Sequence, residues 1–351
     1  MRAVIYKTAG PARSVLRIVE RAVPEPSEGK VLVRVAASGV NPSDVKKRSG
    51  WRSTAPLAAP VTPHSDGAGT IEAVGAGVRG EWIGRRVWIF NAQGGASYGA
   101  KDAPECGTAA EFVALPLPYV VPLPDNVSFE TGACLGVPAC TAHYAVHTAG
   151  DLRGRTVLVQ GGAGAVGELA VQFARLADAN VIATVSSPVK ADAARRAGAL
   201  HTIDRHKENV AEAVRAIAPD GVDHIVEVDF GANAGIDAAV LRRGGTISSY
   251  SSPSGPEPRI PYYPLQFTAG TLRFVPIFLI DEASRQRGLA DINMALSTYR
   301  LQPTIASALP LDEIAAAHEL VESGHALGNV VVRMCQPAAA GGEDYSVVRE
   351  G

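Results

Sequence analysis

VLVQGGAGAVGELAVQFARLADANVIATV, residues 157–185, is an apolar run, a glycine-rich turn, a helical run and a second apolar run. Gly162, Gly164 and Gly167 fit a GxGxxG pattern that begins right after the strand TVLVQ, which starts at Thr156, and opens a helix. Alone the pattern says little; with a strand before it and a helix and strand after it, it reads as a dinucleotide site. Each glycine has its own reason. Gly162 permits the tight turn, Gly164 lets a pyrophosphate approach the backbone, and Gly167 lets helix and strand pack closely. Unpaired N–H groups at the helix start then face the phosphates.

The second strand tells which dinucleotide. A site for the unphosphorylated ribose ends that strand in Asp or Glu, to bond the 2′-hydroxyl. Here NVIATV is followed by Ser186 and Ser187, with Lys190 on the next helix and Arg205 just past the strand HTID. Two cations and two hydroxyls suit a 2′-phosphate. One close charge pair is worth about 4 kcal/mol at an effective dielectric of about 20, before desolvation is subtracted. The expected cofactor is therefore NADPH.

Further out, the strands TVLVQ, NVIATV, HTID, HIVEVD and GTISSY alternate with the helices AVGELAVQFARLA, PVKADAARRAG and NVAEAVRAIA. That alternation predicts a parallel sheet with helical crossovers. Residues 1–125 carry short β-type runs (RAVIY, VLVRVAASGV, AGTIEAVG, RRVWIF, AEFVAL) broken by Pro and Gly, as in a β-rich domain. SFETGACLGVPACTAHYAVHTA reads as one helix, with Ser128 as its cap and Glu130 in its first turn. After Ser251, SPSGPEPRIPYYPL reads as a Pro-rich loop, followed by helices in EASRQRGLADINMALSTYR and LDEIAAAHELVESG and a last strand NVVVRM. The fold class is α/β.

The chain has 351 residues, enough for about two domains, and its 46% hydrophobic content can fill a sizeable core. Net charge is −2 with no basic stripe, so no nucleic-acid partner is expected. Cys106, Cys134, Cys140 and Cys335 show no paired spacing and read as reduced thiols of a reducing compartment. MRAVIYKTAG lacks the pattern of a secretory leader, and no run of about 18 apolar residues predicts a membrane span. A cytoplasmic protein is expected.

SGVNPSDVKKRSG, PHSDGAG, GTAAEFVAL, GACLGVPACTAHYAV, SSPVKADAARRAGA and AHELVESGHALGNVVVRM, taken with VLVQGGAGAVG, make the sequence resemble the medium-chain dehydrogenase/reductase superfamily. Within it the zinc-independent quinone oxidoreductases related to zeta-crystallin are the most similar. The resemblance implies a GroES-like substrate domain at 1–126 and a Rossmann domain at 127–265. It further implies that 266–337 completes the Rossmann sheet and returns to the first domain, and that 338–351 is a flexible tail. It also implies a homo-oligomer, dimer or tetramer. Zinc members hold their metal with Cys, His and Cys; the matching positions here are Asn41, Ser65 and Val137, which do not make a zinc ligand set. Oxidising an alcohol requires loss of a hydroxyl proton, which zinc eases. The expected substrates are instead quinones or other conjugated carbonyls, which accept hydride without a Lewis acid.

Cofactor contacts follow from the same resemblance. Asn41 falls near the nicotinamide and Thr141 near its ribose. Gly162, Ala163, Gly164, Ala165, Val166 and Gly167 match the pyrophosphate turn, and Ser186, Lys190 and Arg205 the 2′-phosphate region. Tyr250, Ser251 and Ser252 follow a strand end, where ligands of open parallel sheets collect. Phe274, Val275 and Pro276 match a segment beside the nicotinamide ring. The alternatives are a turn residue before Pro42 for Asn41 and plain core packing for Thr141 and the 274–276 segment. There are departures from the family. Lys46, Lys47 and Arg52 stand where many quinone reductases carry tyrosines, and Gly328–Asn329 where the last strand often begins Gly–Lys. No catalytic acid is assigned; Lys46 and His64 are candidates, each also compatible with a structural or surface role. Two alternatives stay open: an enoyl or 2-alkenal reductase, with residues 91–108 shaping the substrate mouth, and an NADPH-binding structural or sensing protein with little turnover.

Overall fold

The structure is a computed structural model and describes residues 1–51, 57–93 and 106–334. Arg52, Cys335, the 338–351 tail and most of the 91–108 loop lie outside the described residues. The first part of the chain is β-rich. β1 (Arg2–Ile5) and β2 (Arg17–Glu20) form an antiparallel pair. β3 (Lys30–Val40), β4 (Asp66–Val74), β5 (Arg86–Ile89), β6 (Phe112–Pro116) and β7 (Val120–Pro122) follow. β3 pairs with β4 along most of its length and with β6 from Lys30 to Arg34. Alternate inward residues Val31, Val33 and Val35 pack with Ile71, Val87 and Ile89 in the core of this sheet.

The second sheet has six strands: β8 (Thr156–Val159), β9 (Asn180–Val185), β10 (His201–Asp204), β11 (Val222–Glu227), β12 (Leu241–Ser249) and β13 (Thr271–Phe274). Every pairing is parallel, in the order β10-β9-β8-β11-β12-β13. This is the doubly wound arrangement in which ligands collect where the strand order reverses, here at the carboxyl end of β8. Helices cover both faces, so Val157, Leu158 and Val159 are all fully buried and the strand reads as continuously apolar. The chain then returns. β14 (Ile305–Pro310) and β15 (Asn329–Arg333) extend the first sheet, which runs β14-β15-β3-β4-β5-β7. β15 takes the part of β3 that β6 leaves, from Ala37 to Val40.

Three local differences from the sequence reading matter. The single helix expected around 129–147 is broken: Phe129–Gly132 is α-helical, Leu135–Ala139 is a π turn, and Cys140–His147 resumes the α-helix. Pro138 lies inside the π turn, and its missing N–H and its ring disrupt the regular ladder. Ser128 does cap the first segment, accepting from the Thr131 amide at 3.1 Å. Within the expected loop 252–265, a short helix runs Tyr262–Phe267. Pro264 sits in its first turn, where a missing N–H needs no partner. The sequence pattern singled out neither β13 nor β14 as a strand, although the resemblance implied that 266–337 completes the Rossmann sheet and returns to the first domain.

Candidate cofactor and substrate site

The turn after β8 is held from two directions. Gly161, not Gly162, takes the left-handed conformation (φ 73°), so the tight turn falls one residue earlier than expected. Gly162 is needed for packing instead: a Cβ there would lie 2.6 Å from Ala183 Cβ on β9. At Gly167 a Cβ would lie 2.1 Å from the Gly161 carbonyl oxygen, so helix Ala165–Leu176 can seat on the turn only through glycine. Gly164 differs. Its nearest neighbour to a built Cβ is 3.7 Å away, which leaves the space above the helix start open. The amides of Ala165, Val166 and Gly167 have no partner within their own helix. Ala163 is buried, and its carbonyl accepts from Gly328 N at 3.3 Å, which brings the start of the returning strand against the turn. Asn329 faces Thr304 instead, donating from Nδ2 to its carbonyl at 3.1 Å.

Ser186, Lys190 and Arg205 come together beyond β9. Arg205 N donates to Val185 O at 3.0 Å, which ties its loop to the end of β9. Ser187 caps helix Pro188–Ala197 by accepting from Lys190 N at 3.3 Å, so its hydroxyl is committed. Burial lowers the Lys190 ammonium's pKa, and the nearby Arg205 guanidinium lowers it further. Lys190 Nζ donates to Gly324 O at 3.2 Å, and neither cation is ion-paired among the described residues. Two like charges brought close without a counter-ion fit a phosphate.

The other end of the crevice gathers residues from four segments. Asn41 follows β3 and caps helix Pro42–Ser49; its backbone nitrogen donates to Asp44 Oδ2 at 2.9 Å, and its Nδ2 to Asp66 Oδ2 at 2.7 Å. The π turn frees Val137 N, which donates to the same Asp66 oxygen at 2.8 Å. Asp66 Oδ1 is buried with no partner. Burial, only partly offset by these donors, pushes the Asp66 carboxyl up to about 8 and raises Asp44 as well. Thr141 is buried and its hydroxyl also has no partner. Lys46 Nζ crosses from the first domain to Ser251 Oγ at 3.5 Å and lies over the Trp51 ring; burial lowers its pKa, against the Asp229 charge. Lys47 donates to Gln93 and lies over Phe278.

The remaining expected residues are placed as follows. Tyr250, Ser251 and Ser252 follow β12; Tyr250 N donates to Glu227 O at 3.1 Å, and Ser252 Oγ accepts from Gly231 N at 3.0 Å. Val275 N donates to Ser249 O at 2.9 Å, and Val275 is buried beside that strand end. Phe274 ends β13 and is 65% exposed, so its ring is not enclosed by the chain; Pro276 precedes the 3₁₀ turn Ile277–Leu279. His64 is turned away into a buried polar cluster. Its Nδ1 meets Ser38 Oγ at 2.7 Å and its Nε2 meets His318 Nε2 at 3.0 Å. Burial holds both imidazoles well below their usual range, so they are neutral. Sequence reasoning missed Asp44 and Asp66, although both stand in motifs it used, NPSD and HSDG. It also missed Asn91, buried with an unpartnered Oδ1 and a left-handed backbone (φ 54°).

Comparison with known proteins agrees with this architecture. The family described as alcohol dehydrogenase GroES-like domain matches residues 27–125, and that described as zinc-binding dehydrogenase matches residues 165–291. The quinone oxidoreductase of Lama guanicoe is 33% identical over 338 residues, covering 95% of this chain and 97% of that protein. The chain belongs to the quinone oxidoreductases of the medium-chain dehydrogenase/reductase superfamily. It is an oxidoreductase with a GroES-like and a Rossmann domain. The 2-methylene-furan-3-one reductase of Solanum lycopersicum is 30% identical over 316 residues, covering 89% of this chain and 73% of that one. A mycobacterial protein solved in complex with NADPH superposes with a TM-score of 0.82 at 27% identity, over 95% of this chain and 100% of that one.

Zinc, which one of these family descriptions names, does not fit the residues present. Zinc is held by thiolate, imidazole or carboxylate. The matching positions offer the Asn41 amide, the Ser65 hydroxyl and the apolar Val137, and Asp66 already binds the first and last of them. Among the described residues no group of three or more His, Cys, Asp or Glu is arranged to hold a metal ion, and no helix is long and apolar enough to cross a membrane.

Proposed function

We propose that the chain is an NADPH-dependent reductase that passes hydride to quinones or other conjugated carbonyls without a resident metal. The observation that carries this reading is the pair Lys190 and Arg205, brought close beyond the end of β9 with no ion-pair partner among the described residues, while the turn after β8 is open at Gly164. The residues fit the cofactor along its length. The first-turn amides of helix Ala165–Leu176 would hold the pyrophosphate, and the orphan Thr141 hydroxyl and Asn41 the nicotinamide half. Bound NADPH supplies the hydride. The chain's own part is to orient both partners, exclude water and supply a proton. Lys46, an ammonium reaching across the crevice to Ser251, is the group placed to give that proton to the acceptor oxygen.

A second reading, reduction of an enone carbon–carbon double bond, is favoured by the similarity to 2-methylene-furan-3-one reductase. NADPH consumption should be followed with benzoquinone and with a 2-alkenal, with ethanol and NADP+ in parallel. Turnover of the quinone supports the first reading and of the alkenal the second. Ethanol oxidation, or activity abolished by a chelator, would overturn the metal-free mechanism; tight NADPH binding with no turnover would make the chain a binding protein. Lys46→Met is expected to lower kcat about a hundredfold while NADPH affinity stays within about twofold. We also propose a cytoplasmic homo-oligomer. Among the described residues β13 pairs only with β12, and Tyr262, Tyr263, Phe267 and Phe274, in β13 and the helix before it, stand exposed. A monomer in sedimentation velocity would remove that assembly.

A further inference from the structure

The buried cluster around His64 has no role in the site described above. It draws on four segments: Ser38 from β3, His64 just before β4, Thr108 ahead of β6, and His318 in the helix Ile314–Glu322 of the returning chain. All four are fully buried. Their hydrogen bonds can be ordered one by one. Thr108 Oγ1 lies 2.5 Å from the Asp66 carbonyl oxygen, which can only accept, so the Thr108 hydrogen is spent there. Ser38 Oγ, 2.7 Å from Thr108 Oγ1, must then donate to it; its own distance to the Asp66 carbonyl, 3.5 Å, is too long to compete. With the Ser38 hydrogen spent, His64 Nδ1 donates to Ser38 Oγ across 2.7 Å. Burial keeps both imidazoles neutral, so His64 Nε2 carries a lone pair and accepts from His318 Nε2 at 3.0 Å. The ring centroids are 5.1 Å apart and the planes 26° from parallel, so the N···N line takes up most of the separation and the rings meet edge to edge. What remains is His318 Nδ1, an acceptor with no donor among the described residues. The Arg48 guanidinium acts on this ring, and a cation suits a lone pair better than an N–H.

We propose that His318 and His64 are positioning residues for the nicotinamide end, acting through Ser38 and Thr108 on Asp66, and through Asp66 on the Asn41 amide. Asp66 is held at both ends. Its carbonyl accepts from Thr108, and its Oδ2 accepts from Asn41 Nδ2 at 2.7 Å and from Val137 N at 2.8 Å. The approach to Asp66 is itself imposed. His64 has a left-handed backbone (φ 77°), which a histidine keeps only where its surroundings fix it. Here Thr108 N donates to the His64 carbonyl at 3.0 Å, while Ser38 and His318 hold the ring. Every hydrogen bond of the chain points toward Asp66, so its direction is set at His318. Without that donor the chain can reverse. The His64 proton moves from Nδ1 to Nε2, Ser38 donates to Nδ1, Thr108 donates to Ser38, and the Asp66 carbonyl loses the Thr108 hydrogen. Asp66 and Asn41 are then less firmly placed in the crevice. The pair thus ties the returning chain, which also meets the cofactor turn through Gly328 N and Ala163 O, to the acceptor end.

The proposal rests on the reading that Asn41 faces bound NADPH, and Thr108 tests it. Thr108→Val keeps the shape and removes the last hydroxyl of the chain; Thr108→Ser keeps the hydroxyl. With benzoquinone and NADPH, turnover per NADPH-binding site is expected to fall about tenfold in Thr108→Val and to be largely restored in Thr108→Ser. The dissociation constant of NADPH should change by less than about threefold in both, because the phosphates are held elsewhere. A merely structural role would lower the number of binding sites and not the turnover of each. His318→Phe should lose about as much as Thr108→Val, and the double variant little more than either, because one chain is cut in two places. Losses that multiply, or wild-type turnover in Thr108→Val, overturn the proposal. The wild type alone gives a second measurement. Magnetic resonance of nitrogen-labelled histidines should show His64 protonated at Nδ1, His318 protonated at Nε2, and a scalar coupling across the N–H···N bond. His64 protonated at Nε2, or no such coupling, also overturns it. A wild type that binds NADPH but reduces neither benzoquinone nor a 2-alkenal defeats the reductase reading instead, a failure that the nitrogen spectrum does not share.

Discussion

On the proposed reading, the two ends of the cofactor crevice solve opposite electrostatic problems. At the ribose end, Lys190 and Arg205 stand close together, partly in solvent, with no carboxylate paired to them among the described residues. At the nicotinamide end, Asp44 and Asp66 are buried around Asn41, and burial keeps the Asp66 carboxyl protonated at neutral pH. One end carries exposed charge that a phosphate would neutralise. At the other, burial raises the Asp44 and Asp66 carboxyls and so favours their uncharged forms. On that reading the difference would separate tasks: affinity and cofactor choice would come from one end, and a water-poor place for hydride transfer from the other.

The largest expected effect breaks the ribose end. Lys190→Glu replaces attraction to the 2′-phosphate by repulsion and should weaken NADPH about a hundredfold, or about 2.7 kcal/mol, while NADH changes by less than about threefold. Because Lys190 is partly exposed, the effect should shrink as salt is added. Fluorescence titration with both cofactors checks this. Equal losses for the two would mean that the cations serve another purpose.

A smaller effect separates ligand space from packing space within one turn. Gly164→Ala adds a methyl into the open gap, 3.7 Å from its nearest neighbour, and should leave the melting temperature within about 1 °C. It should weaken NADPH about tenfold, because the methyl occupies the place where the pyrophosphate meets backbone. Gly167→Ala drives its methyl to 2.1 Å from the Gly161 oxygen and should cost about 2 kcal/mol of stability before any cofactor is added. Thermal melts with and without NADPH distinguish the two. Unchanged NADPH affinity in Gly164→Ala would remove the pyrophosphate assignment.

The same contrast explains what the sequence reveals. The ribose end is legible because its parts follow one another: strand, turn, helix, strand, then cations on the next elements. The glycine turn is legible almost to the residue, and misplacing the left-handed position by one is the error expected of a GG pair. The nicotinamide end is not local. Asn41 and Asp66 are 25 positions apart, and Asp66 and Val137 are 71 apart. They meet because β3 pairs with β4, and because Pro138 forces a π turn that turns one amide out of its helix. No periodicity announces such a meeting. The individual strands β13 and β14 escaped notice for a plainer reason: TLRF alternates but is only four residues long, and IASALP has no regular alternation and ends in Pro.

The smallest effect tests whether the nicotinamide end is neutral. Burial raises the Asp66 carboxyl from its ordinary value near 3.8 to about 8, with the Val137 and Asn41 donors acting the other way. A raised carboxyl binds its proton more tightly in the folded than in the unfolded chain. Its stabilisation is therefore full below the ordinary carboxyl range and is lost as pH rises through about 8. Asp66→Asn removes the titration, while its amide oxygen still accepts from Asn41 Nδ2 and Val137 N. The wild type should lose about 4 °C in melting temperature between about pH 6 and pH 9, and the variant distinctly less. The Asp44 charge acts on Asp66, so the difference between the two curves reports Asp66 together with its neighbour Asp44. Superimposable curves would mean that Asp66 is already ionised at neutral pH. The nicotinamide end would then hold a fixed negative charge beside the place where the acceptor's own charge develops, and Lys46 would have to offset both.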